Sequence, residues 1–233
     1  MTGLIFDVDG VIADSERINA EASIQVFADL FDLKVTREDF EAGLGRGAAE
    51  YVRAASRVHG VDLTDDQVSA ATKARQENFL QLLSEKPLPP FPGVMELMTA
   101  ALTDKTFRVA IATSSVREKS EAVLKSARIP YTQVEYITGS DVKNKKPDPE
   151  LFLIAAARIG IEPENCTVIE DAPDGIAAAK AAGCQCIAVT NSAPPEKLSQ
   201  ADRIVASLEE VHPSDLPMVG KISGAGGCAW LSD

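Results

Sequence analysis

The stretch Leu4-Ile5-Phe6-Asp7-Val8-Asp9-Gly10 carries an apolar run that ends in two aspartates and a glycine. A short, continuous apolar run is typical of a strand buried in a parallel sheet, and Asp9-Gly10 is a turn signal. We therefore predict a first strand over residues 4–8. Asp7 and Asp9 lie two positions apart, so on an extended segment they project to the same side.

A helical pattern follows from Ser15 to Glu85, where apolar residues recur at helical spacing without strand-like alternation. Thr64-x-x-Gln67 predicts a capping box that opens a third helix in this block. The block ends in residues 86–93, whose four prolines cannot continue a helix. We expect residues 15–86 to form a small helical cap domain, inserted into a core domain made of residues 1–14 and 87–233.

Strand and helix patterns alternate in the rest of the chain. Candidate strands cover residues 107–113, 134–138, 167–170, 186–189 and 203–205, and candidate helices cover about 117–127, 149–159 and 174–182. In the middle helix we expect Asp148 as the N-cap, Pro149 at the first position and Gly160 after the end. This alternation predicts an α/β fold, in which a parallel sheet carries helices on both faces and its ligand crevice lies at the carboxyl ends of the strands.

The composition is that of an ordinary globular protein, with 233 residues, 25% of them charged, and a net charge of -12. No run of Lys and Arg is dense enough to follow a nucleic-acid backbone, so we expect no nucleic-acid partner. No apolar run has the length needed to span a bilayer, and the first residues do not resemble a signal peptide. We expect a cytoplasmic protein with reduced cysteines and no membrane partner. The sequence indicates no oligomeric state and assigns no role to the glycine-rich segment 220–233.

Four of the predicted strands deliver polar groups to one rim of the sheet. Asp7 and Asp9 follow the first strand, Thr113-Ser114-Ser115 the second, Lys146 the third, and Glu170-Asp171 the fourth. Because the carboxyl ends of parallel strands meet at one edge, we expect these side chains to lie close together. Ser115-x-x-Glu118 predicts a capping box, so a helix that starts after Thr113 and Ser114 would offer hydroxyls and free N–H groups to an anion.

These residue types suit the hydrolysis of a phosphate monoester, which needs a nucleophile, a cation and an acid for the leaving oxygen. With an ordinary pKa of about 3.9, Asp7 is expected to be ionised and able to attack without a base. Asp9, close to other carboxylates, is expected to have a raised pKa that suits a group giving and taking a proton. Asp7, Glu170 and Asp171 offer hard oxygen ligands for Mg²⁺. Lys146 offers a point charge to a phosphate oxygen, so the expected partner is a small phosphorylated metabolite.

The sequence resembles the haloacid dehalogenase (HAD) superfamily, whose four motifs occur here in order over about residues 3–190. The matching segments are Asp7-Val8-Asp9-Gly10-Val11-Ile12, Ile111-Ala112-Thr113-Ser114-Ser115, Lys146-Pro147-Asp148-Pro149-Glu150-Leu151-Phe152 and Val168-Ile169-Glu170-Asp171-Ala172-Pro173-Asp174-Gly175-Ile176. Each segment alone is a weak signal, whereas four in order across most of the chain are a strong one.

The resemblance implies a Rossmann-like, doubly wound parallel sheet with a helical cap inserted after the first motif, as in the β-phosphoglucomutase-like subfamily. It implies that Asp7 is the nucleophile and that Asp9 is the general acid/base. The backbone carbonyl of Asp9 would also bind the metal. The expected reaction is thus Mg²⁺-dependent hydrolysis of a small phosphate monoester through an aspartyl-phosphate on Asp7.

The same resemblance implies that Thr113 and Lys146 hold the transferring phosphoryl group, and that Glu170 and Asp171 bind magnesium. We interpret Asp174 as the solvated start of a helix rather than as a further ligand. The next residue is Gly175, at the position where some relatives carry a second acid.

A sugar phosphomutase of the β-phosphoglucomutase type would use the same core, so the difference must lie in the cap. Asn19 stands where that pattern has a histidine early in the first cap helix, and Ala48 stands where it has an arginine. Arg46 is the residue that can substitute for that arginine. We favour a phosphatase, keep the mutase as the alternative, and take Asn19, Arg46 and Ser115 as candidate substrate contacts.

Two other classes fit the motifs less well. A dehalogenase has no use for a leaving-group acid, and the second aspartate of the first motif is absent from that branch, whereas Asp9 is present here. A non-enzymatic phospho-receiver is smaller, lacks a helical insert, and has its acidic pair before the phospho-acceptor. We therefore expect an enzyme that acts on phosphorus.

Overall fold

The computed structural model describes residues 1–43 and 47–216 of the chain. Its strands are β1 (Thr2–Phe6), β2 (Phe107–Ala112), β3 (Glu135–Ile137), β4 (Cys166–Glu170), β5 (Gln185–Val189) and β6 (Arg203–Val205). Its α-helices are α1 (Ser15–Phe31), α2 (Ala48–Val58), α3 (Asp65–Glu85), α4 (Val94–Thr103), α5 (Arg117–Ser126), α6 (Glu150–Ile159) and α7 (Pro173–Ala181). None of these helices combines the length and the apolar character needed to cross a bilayer.

The six strands form one parallel sheet in the order β3-β2-β1-β4-β5-β6. Strand β1 lies at the centre, where Phe6 pairs with Ile111 of β2 on one side and with Ile169 of β4 on the other. The strand order reverses at β1, and such a switch point opens a crevice at the carboxyl ends of the strands. The predicted doubly wound α/β fold is confirmed.

Helices cover the sheet on both faces, which explains the nearly continuous apolar character of β1. Leu4 and Phe6 point into the apolar cluster that α4 and α5 complete, and Ile5 points into the cluster that α6 and α7 complete. All three side chains are fully buried. A strand buried on both faces has no solvent side on which polar residues would alternate.

The helices α1, α2 and α3 pack around an apolar cluster of their own. Phe40 lies at its centre, with its ring centroid 5.4 Å from that of Phe27 and 4.6 Å from that of Tyr51. Helix α3 also packs against the core domain at α5, and its Phe79 and Leu83 belong to the apolar cluster that contains Leu4 and Phe6. We propose that this helical block is the cap domain, with the boundaries expected from the sequence.

The capping box Thr64-x-x-Gln67 is confirmed: the Thr64 hydroxyl accepts from the Gln67 N–H, and the Gln67 side chain accepts from the Thr64 N–H. Strand β1 begins and ends two residues earlier than predicted, so Asp7 follows the strand rather than lying within it. Helix α4 was not predicted. It is a short apolar helix that begins after Gly93, which offers no side chain as a cap.

Two predicted helix starts are wrong. Helix α6 has Pro149 rather than Asp148 at its N-cap, and the Asp148 carboxylate instead accepts the Glu150 N–H at 3.0 Å. Gly160 ends this helix in the left-handed region, as predicted. Helix α5 begins after Val116 without any side-chain cap, so the capping box expected at Ser115 does not form.

Candidate active site

The polar residues at the carboxyl ends of β1, β2 and β4 lie close together at one rim of the sheet, and Lys146 joins them from the loop between β3 and α6. The Lys146 ammonium donates to Asp7 Oδ1 at 2.6 Å and to Glu170 Oε1 at 2.5 Å. Its side chain is 11% exposed, and both carboxylates are buried. Burial alone would lower the pKa of Lys146, but the two carboxylates hold that pKa above its ordinary value. The ammonium is therefore a fixed positive charge between two acids.

Three buried carboxylates offer a site for a hard cation. Oxygen atoms of Asp7, Glu170 and Asp171 lie within 4.8 Å of one another. Glu170 Oε2 accepts the N–H groups of Asp171 and Ala172 at 2.7 and 3.0 Å, which fixes the direction of its carboxylate. Carboxylate oxygens are the ligands that Mg²⁺ prefers, so this donor set fits the expected metal.

The pKa of Asp7 differs from the ordinary value expected from the sequence. Burial raises the pKa of Asp7 to about 7; the negative charge of Glu170 adds to this effect and Lys146 opposes it. Burial also raises the pKa of Asp171 well above its ordinary value. The expectation that Asp7 is fully ionised at neutral pH is therefore wrong for the metal-free protein. Burial favours the protonated forms of Asp7 and Asp171, and a bound cation would favour their ionised forms.

The pKa of Asp9 is lowered, whereas a raised value was expected. Burial opposes ionisation of this carboxyl, but the Lys119 ammonium, 3.7 Å from Asp9 Oδ1, outweighs it together with hydroxyl donors. Ser115 Oγ donates to Asp9 Oδ2 at 2.6 Å, and Ser15 Oγ donates to Asp9 Oδ1. Thr113 Oγ1 lies 3.5 Å from the same Oδ2 atom. These partners favour the ionised form of Asp9.

Ser115 thus has a different position from the one its capping-box pattern predicted. Its hydroxyl donates to the half-buried carboxylate of Asp9 instead of accepting a helix N–H. Thr113 is buried, and its Oγ1 accepts the Ser115 N–H at 3.1 Å, whereas Ser114 is half-buried at the rim. The roles of Thr113 and Ser114 in phosphate binding stay predictions.

Two glycines allow the carboxylates to pack closely. A Cβ atom on Gly10, whose φ is +77°, would lie 1.8 Å from Asp171 Oδ2. A Cβ atom on Gly175 would lie 1.8 Å from Glu170 Oε1. A side chain at position 175, such as the second acid that some relatives carry, would therefore have to displace the Glu170 carboxylate. Asp174 is exposed in the first turn of α7 and lies outside the acidic cluster found in the described residues.

The Gly175→Ala protein is expected to bind Mg²⁺ about 10- to 100-fold more weakly, because the new methyl group must displace the Glu170 carboxylate. Alanine is more favourable than glycine inside a helix by about 1 kcal/mol, so the substitution should not destabilise helix α7 itself. Calorimetric titration with Mg²⁺ measures the affinity, and thermal unfolding in chelator checks the fold. Unchanged affinity in a folded variant would show that the position of Glu170 does not limit metal binding.

The candidate substrate residues have separate positions. Asn19 is buried in α1, where its Oδ1 accepts from the Arg75 guanidinium at 2.7 Å. Arg75 also donates to Ser23 at 3.0 Å and stacks on the Tyr51 ring at 4.5 Å. The side chain of Asn19 is therefore engaged within the helical block. Arg46 lies outside the described residues.

Sequence reasoning missed Ser15 and Lys119, the two further partners of Asp9. Ser15 is the first residue of α1, and Lys119 lies in the first turn of α5, four positions after Ser115. Because Ser115 precedes the helix, this spacing does not put the two residues on one helical face, and no local sequence signal pointed to Lys119.

Comparisons with known proteins assign the family. The family model described as haloacid dehalogenase-like hydrolase matches residues 1–183. The chain is 35% identical over 195 residues to Protein SUPPRESSOR OF QUENCHING 1, chloroplastic, from Arabidopsis thaliana, across 81% of this chain but only 18% of that protein's length. It is 31% identical over 217 residues to Validoxylamine A 7'-phosphate phosphatase from Streptomyces hygroscopicus subsp. limoneus, across 89% of this chain and 94% of that protein.

A solved structure agrees with this assignment. A CbbY variant from Rhodobacter sphaeroides, crystallised with xylulose-(1,5)bisphosphate, matches with a TM-score of 0.80 and 27% identity, over 94% of this chain and 100% of that one. The sequence motifs, the sheet order and the family match point to the same group of enzymes. The chain belongs to the haloacid dehalogenase-like hydrolases.

Proposed function

We propose that this protein is a Mg²⁺-dependent phosphatase that hydrolyses a phosphate monoester of a small metabolite, such as a sugar phosphate, through an aspartyl-phosphate on Asp7. The observation that carries the proposal is the Lys146 ammonium between Asp7 and Glu170, beside a third buried carboxylate at the strand switch point. Two relatives support the substrate class. One is named as a phosphatase of validoxylamine A 7'-phosphate, and the other was crystallised with a sugar bisphosphate.

The proposed first step is attack of an Asp7 carboxylate oxygen on the phosphorus atom, with cleavage of the bond to the ester oxygen. That oxygen takes a proton from Asp9 as it leaves with the alcohol. Bound Mg²⁺ would neutralise negative charge on the phosphoryl oxygens and on the carboxylates of Glu170 and Asp171. Lys146 holds the Asp7 carboxylate and presents a positive charge to the transferring group.

The second step hydrolyses the acyl phosphate. Asp9 takes a proton from water as the water oxygen attacks phosphorus, and the bond from phosphorus to the Asp7 oxygen breaks to release inorganic phosphate. Asp9 is ionised in the free protein, which suits this second step. The first step needs its protonated form, and an arriving phosphate raises the pKa of Asp9 because it adds negative charge beside the carboxyl.

Mg²⁺ is expected to raise the melting temperature more at pH 8 than at pH 5.5. The pKa of Asp7 is about 7 in the folded metal-free protein, against an ordinary value of 3.8, and that of Asp171 is also raised. Between pH 3.8 and about pH 7, the folded state therefore binds more protons at Asp7 than the unfolded state does. The free energy of unfolding of the metal-free protein consequently falls as the pH rises toward and through 7. Mg²⁺ binds the ionised carboxylates and removes this penalty. Thermal unfolding with Mg²⁺ or chelator at both pH values measures the effect, and an equal gain at both would contradict it.

Phosphate release from a panel of sugar phosphates and other small phosphate esters tests the function. The assay is run with Mg²⁺ and with chelator, and β-glucose 1-phosphate is also followed for conversion to glucose 6-phosphate. Net release that requires Mg²⁺ supports the phosphatase. Isomerisation without net release would favour the phosphomutase instead.

A further inference from the structure

Lys119 lies where the sheet domain and the helical block meet. It belongs to α5, and its ammonium lies 3.7 Å from Asp9 Oδ1 on one side. On the other side, the centroid of the Phe79 ring of α3 lies 5.1 Å from the same nitrogen. The Lys119 side chain is 16% exposed, so the charge is held largely out of water at the edge of the crevice.

This ammonium has unused hydrogen-bonding capacity. An ammonium has three N–H donors, and a charge removed from water is costly unless it is paired and hydrogen-bonded. Within residues 1–43 and 47–216, Lys119 makes no hydrogen bond, and Asp9 is its one carboxylate partner within 4.0 Å. Lys146, by contrast, donates to two carboxylates at 2.6 and 2.5 Å. Lys119 is therefore the cation beside Asp9 that remains available to a ligand.

The position of Asp9 fixes which part of a ligand would reach this ammonium. In the proposed reaction Asp9 hydrogen-bonds the ester oxygen, at about 2.6–3.2 Å. The Lys119 ammonium contacts the same Asp9 carboxylate, so it faces the leaving alcohol. The phosphoryl group instead lies beside Lys146 and the metal site. An anionic oxygen that contacts Lys119 at about 2.8 Å therefore lies within about 10 Å of the ester oxygen, a distance that a small leaving alcohol spans.

We propose that Lys119 is a specificity-determining residue that binds an anionic group on the leaving alcohol, a carboxylate or a second phosphate, close to the ester oxygen. The proposal rests on the proposed function, because that function defines the side of the crevice on which the alcohol lies. A neutral group at this position of the alcohol would leave the Lys119 ammonium with only its ion pair to Asp9, at 3.7 Å. An anion would add a charge-assisted hydrogen bond in a site with little water, where such bonds are strong.

The test measures affinity in the Asp7→Asn background, so that no turnover is needed. Calorimetry compares 2-phosphoglycolate with 2-hydroxyethyl phosphate, a pair that differs in one carboxylate, and 1,3-propanediol bisphosphate with 3-hydroxypropyl phosphate, a pair that differs in one phosphate. In at least one pair the anionic member is expected to bind about 10- to 100-fold more tightly. That pair identifies the anion.

Lys119→Met is expected to reduce this preference to less than about threefold, and Lys119→Arg to retain part of it. Lys125→Met is the matched control, because Lys125 lies on the same helix, is exposed, and pairs with Glu121 at 3.3 Å. The proposal is overturned if neither pair shows a preference, or if the preference survives in Lys119→Met. Phosphate release by the unchanged protein is measured separately, so failure of the phosphatase function and failure of the Lys119 assignment give different results.

Discussion

The Asp7→Asn protein is expected to release phosphate at least about 10³-fold more slowly than the unchanged protein at saturating Mg²⁺. An amide cannot form the aspartyl-phosphate, and the remaining groups cannot replace the nucleophile. The fold should survive, because the substitution removes a buried charge whose ionisation burial already disfavours. Lys146 keeps Glu170 as a partner in the variant. Steady-state phosphate release with the best ester of the panel measures the loss.

Asp174→Asn is the matched control for this change. Asp174 is exposed in α7 and lies outside the acidic cluster, so its variant should retain phosphate release within about twofold. Comparable losses in the two variants would remove the distinction between Asp7 and a nearby surface aspartate. Near-normal release by folded Asp7→Asn would show that Asp7 is not the nucleophile.

Lys146→Met is expected to lower both stability and activity. The change leaves Asp7 and Glu170 buried without their shared cation, and breaking a buried ion pair in this way costs about 3–5 kcal/mol. Loss of a charge that stabilises the transferring phosphoryl group should lower kcat by about 10²- to 10³-fold. Denaturant unfolding in chelator measures the first effect, and phosphate release with Mg²⁺ measures the second.

A double variant separates charge repulsion from lost packing. Lys146→Met combined with Asp7→Asn should be less destabilised than Lys146→Met alone, because one of the unpaired carboxylates is gone. Lys145→Met, which removes the exposed neighbouring lysine, should change neither quantity measurably. If the two substitutions are additive, the stability loss of Lys146→Met reflects packing rather than charge.

The fold and most of the rim could be predicted because their signals are local. The apolar run of β1 is buried on both faces, and a run of this kind followed by acids has few other structural solutions. Lys146, which follows β3 in the chain, could also be placed, because parallel strands bring their carboxyl ends to one edge. The boundaries of β1 were less predictable, since Asp7 lies directly after the last paired residue.

The electrostatics could not be predicted, because they depend on contacts between residues far apart in sequence. Ser115 and Glu118 have capping-box spacing, but Asp9, 106 positions before Ser115, accepts the serine hydroxyl instead. The same contact and the Lys119 ammonium lower the pKa of Asp9, whereas proximity to carboxylates alone suggested the opposite direction. Acidic residues that are close in sequence indicate charge repulsion between their carboxylates. The structure shows the ammonium and hydroxyl groups that offset this repulsion at Asp9.

Trapping the covalent intermediate tests the central claim most directly. The protein is quenched in acid during turnover of its best ester with Mg²⁺, treated with borohydride, which reduces an acyl phosphate to an alcohol, and mapped by peptide mass spectrometry. We expect residue 7 to be recovered in part as homoserine, only when both substrate and Mg²⁺ are present. Continued phosphate release without homoserine at position 7, or with the reduced residue at another carboxyl, would contradict the aspartyl-phosphate mechanism.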